Sequence, residues 1–316
     1  MSIGTHGAPS LIADVTEVPD RGWQRCVRIE HAGLRLIVTT EVGPRIIECS
    51  LEGSGNLFKE FEQDLGRTSG DEYLLFGGHR LWHAPEAYPR SYALDFEPVE
   101  FVRDGQCLRF AQRQESSTRI QKSIAIELLT PRCVRVTHEL ANLNPWAVEL
   151  APWAMTLLAA GSRLIVPQEE YRPHPQYLDP ARTLTLWPYT RMNDPRVNWG
   201  ERFIQLREDG TVDQKFKIGV LNRQRWAACW VNGWLLVKTF SFDPQARYAD
   251  LGCNCEFFTM PGFLEMETLG PMTRVEPQQR VAHSELWHFW PVPSLPAEEA
   301  ALAELLSGYL PQLVYP

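Results

Sequence analysis

Apolar residues recur at every second position along much of this chain, in short runs cut by glycine, proline and asparagine. That period is the period of a pleated strand and not of a helix, so it restricts the chain to sheet architectures. Cys26-Val27-Arg28-Ile29-Glu30 alternates. Leu34 to Thr39 is a β-branched run that breaks at Gly43-Pro44, Arg45 to Leu51 follows, and Glu52-Gly53-Ser54-Gly55-Asn56 makes a turn. Further strands are expected at Cys107–Gln112, Ile120–Leu129, Cys133–Leu140, Val148–Leu158, Leu184–Trp187, Lys215–Val220, Ala227–Val231, Trp234–Phe240, Gly262–Leu269 and Val281–Trp290. The one clear helical segment runs from Pro296 to Leu306, with Ser294 as its expected N-cap, acids in its first turn and Gly308 at its end. The pattern predicts an all-β chain, a large antiparallel sandwich or barrel-like pair of sheets with a short C-terminal helix. The 316 residues suit a single domain of this kind. The stretch from Pro167 to Pro195 reads as a long, aromatic-laden connection, a type that often carries function.

Charge and cysteine usage narrow the partners. The net charge is -8 and no Lys/Arg run occurs, which argues against nucleic acid. The seven cysteines form no paired framework, so reduced thiols in a cytosol are expected. Met1 to Ser10 lacks a signal pattern and no apolar run approaches spanning length, so a soluble cytoplasmic protein without a membrane partner is expected.

Chemistry concentrates in Gly77-Gly78-His79-Arg80-Leu81-Trp82-His83-Ala84-Pro85-Glu86. Two histidines, an arginine, a tryptophan and a carboxylate suit a wall that grips a polar ring; a tight turn with satisfied histidines is the plainer alternative. Arg80 can fork onto a carboxylate, phosphate or vicinal hydroxyls, or form a structural ion pair with Glu86 or Asp71, and Arg45 carries the same two readings. Glu265 and Glu267 lie two apart on an expected strand and share a face. If both are buried, mutual repulsion raises the pKa of one and sets up an acid and a base. The alternative is a solvated outer face with Met266 and Thr268 inward. Asp250, Asn254 and Glu256, in a polar cluster before that strand, can bond sugar hydroxyls, hold calcium with oxygen ligands or simply close a turn. His79-x-x-x-His83-x-x-Glu86 offers metal-ligand types, but Pro85 and the glycines break the helix that this spacing needs, and no metal or other cofactor is expected.

Taken in order, several segments resemble the galactose mutarotase-like, or aldose 1-epimerase-like, super-sandwich superfamily. Leu34 to Val38 running into Gly43-Pro44-Arg45-Ile46-Ile47 looks like its opening. Gly77 to Pro85 is similar to its Gly-Gly…Pro substrate loop. Asn142-Leu143-Asn144-Pro145-Trp146 resembles the turn before the strand that carries its acid, and Leu264 to Thr268 resembles the strand that carries its base. The resemblance covers residues 25 to 292, and Gly77 to Trp82 with Glu265-Met266-Glu267-Thr268-Leu269-Gly270-Pro271 is nearest to a branch without an assigned activity. It implies a super-sandwich fold, a small-molecule carbohydrate as partner and a Glu/His pair for sugar mutarotation. It leaves open whether Glu265 or Glu267 is the base. The family's histidine falls near Trp153, and a tryptophan has no proton to give. The acid would therefore pass to His79 or His83, with His174 a further candidate, while Trp82 and Trp153 stack on the ring. A non-catalytic sugar-binding protein, or a lyase or hydrolase acting on an acidic sugar gripped by Arg80, are the other readings.

Overall fold

Two large antiparallel sheets stack face to face in the computed structural model, which describes residues 13–316; the Met1-to-Ser10 reading lies outside these. The first sheet has twelve strands. Its path runs from Asp14–Asp20 through Trp23–His31, Leu34–Thr39, Arg45–Leu51, His79–Ala84, Val148–Leu158, Phe263–Leu269, Cys255–Met260 and Phe216–Val220 to Leu184–Leu186. The second has ten, from Val197–Trp199 through Phe203–Arg207, Arg163–Pro167, Trp226–Val231, Trp234–Phe240, Arg280–Pro291, Cys133–Asn142, Ile120–Thr130 and Cys107–Gln112 to Val99–Asp104. The all-β expectation is met, and most strongly alternating runs sit within a residue or two of their expected bounds. No helix among the described residues is long and apolar enough to cross a membrane.

Alternation explains the packing. Ile46, Leu81, Leu264, Met266 and Phe257 of the first sheet face Ile124, Val136, Leu236, Phe240 and Phe289 of the second, and together they form the main core. The helix Glu299–Ser307 lays Leu302 and Leu306 on the outer side of the second sheet, against Phe203, Trp226 and Trp290. Its N-cap is Glu298 and not Ser294, and no side chain caps it. The Glu299 carboxylate instead accepts from the backbone N–H groups of Glu201, Arg202 and Phe203, which ties the helix start to the sheet edge.

Candidate active site

The segment expected as a substrate loop is a central strand, His79–Ala84, flanked by Arg45–Leu51 and Val148–Leu158. The paired glycines make this possible. Both have positive φ, and a Cβ on Gly77 would collide with the Lys59 carbonyl, one on Gly78 with that of Ile46. Strand alternation then sends Arg80 and Trp82 to the outer face of the first sheet and His79 and His83 to the opposite one.

Register assembles the outer face. Met155 lies between Arg80 and Glu267, Trp153 between Trp82 and Leu269, and Glu267 lies opposite Glu256. Phe258 lies between Glu265 and Lys217. Five neighbouring strands thus bring Arg80, Trp153, Glu265, Glu267, Glu256 and Lys217 onto one patch.

The patch is a buried ion cluster. Lys217 Nζ sits 2.8 Å from Glu256 Oε2 and 3.1 Å from Glu267 Oε2. The Trp153 indole N–H donates to the same Glu267 oxygen at 2.8 Å. The Lys217 ammonium lies over the Trp153 and Trp187 rings at 4.8 and 4.7 Å. Arg80 Nη2 is 3.6 Å from Glu265 Oε1, and its guanidinium covers the Trp82 ring at 4.9 Å. Glu265 keeps 7 % of its surface in solvent while Glu267 and Glu256 keep none. Burial pushes the Glu265 carboxyl up to about 7; Arg80 opposes the rise and the adjacent Glu267 charge adds to it. Burial also drives Glu256 well above the carboxylate range, against the pull of Lys217. For Lys217 burial works downward, but Glu267 and Glu256 outweigh it, so its pKa rises and the ammonium is kept. Tyr189, on the connection above, is pushed up to about 12, mainly by burial and then by nearby charge that includes Glu267 and Glu265.

Several buried polar atoms here have no partner: Arg80 Nε and Nη1, Glu267 Oε1, Glu256 Oε1 and, beside them, Asp250 Oδ2. Leaving such groups unpaired costs about 1–3 kcal/mol each, more when charged. Donors and acceptors left open together on one patch are what a polyhydroxylated ligand can satisfy.

The histidines expected as the acid do not fit this geometry. His79 lies between the sheets in a closed network. Its Nδ1 is 2.7 Å from Thr156 Oγ1 and its Nε2 2.6 Å from His138 Nε2. Lys238 donates to Thr156 at 2.6 Å and pairs with Glu285 at 2.9 Å. His79, His138 and Glu285 have the atoms to hold a metal, but the Lys238 ammonium already supplies the cation there. Burial holds the pKa of His79 well below its ordinary value. His83 is buried on that same side against Glu115. His174 is exposed on the connection after Pro167.

Other expected residues divide. Arg45 is structural: Nη1 donates to the Leu75 and Gly77 carbonyls at 2.9 and 3.0 Å, and Nη2 pairs with Asp95 at 2.9 Å. Asn254 clamps Asn222, accepting from its N–H and donating to its carbonyl, so its amide is engaged within the fold. Glu86 is exposed and accepts from the Tyr92 hydroxyl. Trp82 and Trp153 are not free platforms. They are buried, meet edge to face at 5.5 Å, and carry Arg80 and Lys217 on their rings. Met266 and Thr268 do point inward, as the plainer reading of the glutamate strand has it, but the outer face they leave to Glu265 and Glu267 is covered and not solvated. Lys217 escaped the sequence reading, whereas Glu256 belongs to the polar cluster expected before the glutamate strand. The one signal for Lys217 was its alternation with Phe216 and Ile218 inside an expected strand.

No protein-family model and no curated protein sequence matches the chain. Solved structures do. It is similar to a candidate aldose 1-epimerase from Klebsiella pneumoniae at TM-score 0.59 and 9% identity, over 93% of this chain and 86% of that one. A candidate aldose 1-epimerase from Escherichia coli K12 matches at TM-score 0.54 and 12% identity, over 89% of this chain and all of that one. A galactose mutarotase-like protein from Lactobacillus casei matches at TM-score 0.51 and 10% identity, over 84% of this chain and all of that one. At such identities the likeness shows the fold, the galactose mutarotase-like super-sandwich.

Proposed function

We propose that the outer face of the first sheet binds a sugar and interconverts its anomers by proton exchange between the sugar and the pair Glu265 and Glu267. Two adjacent carboxyls in different settings carry this reading: burial pushes Glu265 up to about 7, and Glu267 presents an unpartnered oxygen. Mutarotation needs a base at the anomeric hydroxyl and an acid at the ring oxygen. Glu267 Oε1 takes the hydroxyl proton. Glu265, its carboxyl pushed up by burial, donates to the ring oxygen as the C1–O5 bond breaks. The aldehyde rotates, and closure returns both protons. Arg80 orients the ring through its two open nitrogens, while Lys217 and the Trp153 N–H fix Glu267. Trp187, against the Lys217 ammonium, and Tyr189, close to the same charges, lie beside the site, where one can cover a sugar face. In this scheme Glu265 takes the acid role that the sequence assigned to a histidine.

Anomer-exchange NMR over a panel of aldoses tests the scheme. Acceleration that disappears in Glu265→Gln and Glu267→Gln is expected; no acceleration with any aldose would sink it. The unpartnered nitrogens of Arg80 favour a second reading, a sugar bearing a carboxylate or phosphate. Product formation from uronic-acid oligomers would then identify a lyase or hydrolase, and tight binding without turnover a non-catalytic sugar-binding protein.

A further inference from the structure

We infer that a cleft at the end of the sandwich, on the other side of Tyr92 from the glutamates, is a separate binding site for neutral saccharide units. It has a volume of about 680 Å³ and lies between the end of the strand His79–Ala84, the turn Arg90–Tyr92, the turn before Ile120 and the turn around Trp146. That volume is in the range of sites that enclose small ligands.

The floor is a neutral hydrogen-bond donor. Arg90 Nη1 is 2.8 Å from His83 Nδ1. A guanidinium can only donate, so Nδ1 accepts and the imidazole proton sits on Nε2. That nitrogen is buried, 3.4 Å from Glu115 Oε2, and makes no well-aligned hydrogen bond. Burial lowers the pKa of His83 and keeps it uncharged. Glu115 is an ion whose charge is already matched: Lys122 pairs with it, and the Thr118 hydroxyl donates to it.

The rim is aromatic and hydroxylated. Trp146 is 61 % exposed, and its backbone carbonyl is held by Asn142 Nδ2 at 2.8 Å. Ser116 and Ser117 line the same cleft. An exposed indole on a held backbone beside hydroxyls, over a floor with one neutral imidazole donor, matches a pyranose without charged substituents. Two carboxylates, Glu115 and Glu149, and one guanidinium, Arg90, line the cleft, so no single charge sign dominates it. Tyr92 divides the two sites: it lines this cleft, and on its other side packs 5.0 Å from the Trp82 ring.

The assignment stands on the cleft's own chemistry and not on the glutamate reading, and the test separates them. Maltohexaose, cellohexaose, mannohexaose and xylohexaose are titrated into the full-length protein by calorimetry and tryptophan fluorescence. At least one is expected to bind. Trp146→Ala, a change at an exposed residue, should weaken that binding about tenfold, Ser117→Trp should block it, and Glu265→Gln should leave it unchanged. Binding that survives Trp146→Ala, or binding to none of the four, overturns the site. Loss in Glu265→Gln alone would place the saccharide at the glutamates, overturning this inference while leaving the other reading intact.

Discussion

Replacing Glu265 with glutamine should remove a defined share of the pH dependence of folding. Burial raises this carboxyl from 4.5 to about 7 despite an arginine 3.6 Å away. Such a shift links about 3 kcal/mol of folding free energy to its proton. The sign follows from proton counts. Between pH 4.5 and 7 the folded chain holds this proton more tightly than the unfolded chain does. Its contribution is therefore fully present below 4.5, is lost as pH rises through about 7, and is flat above. Glutamine has the same shape and no titration, so Glu265→Gln should show a shallower decline than wild type over this window. Glu256 is raised as well, but it is present in both proteins and largely cancels in the difference. Loss of the Arg80 partner offsets the variant's curve without tilting it. Denaturant unfolding at a series of pH values from 5 to 8 measures this. Parallel curves would refute the claim that burial dominates. A wild type that instead loses stability relative to the variant as pH falls would mean that the Arg80 pair wins.

Lys217→Met leaves two buried glutamates without their cation and should cost about 3–5 kcal/mol in denaturant unfolding, partly recovered by adding Glu256→Gln. Trp153→Phe removes one donor to Glu267 and should cost about 1–3 kcal/mol by the same assay, with slower anomer exchange if Glu267 is the base. Gly78→Ala forces a Cβ onto a backbone carbonyl at positive φ, and a loss of about 3 kcal/mol or more is expected, read as a lowered Tm.

Much of the fold is legible in the sequence because most strands have one apolar face and one mixed face. Cys107–Gln112 and Ile120–Thr130 announce themselves in this way. His79–Ala84 does not. All six residues are buried, and polar groups occur on both faces: Arg80 on the outer patch, His79 and His83 inward. Alternation of hydrophobicity vanishes in such a strand, and the residues read as a loop. The pairing of Glu265 with Glu267 is local, two positions on one strand, and could be seen. Lys217 could not be tied to them, because its partners come from two other strands and only the register Gly219–Glu256–Glu267 brings them together. Likewise, His79 looks available until His138, Thr156 and Lys238 are found around it.

The central claim is that chemistry resides on the outer face of the first sheet and not with the histidines between the sheets. Anomer exchange, measured side by side on Glu267→Gln and His83→Gln with substrate binding checked in each, tests it most directly. Exchange should be abolished in the glutamate variant and unchanged in the histidine variant. The opposite pattern would contradict the account.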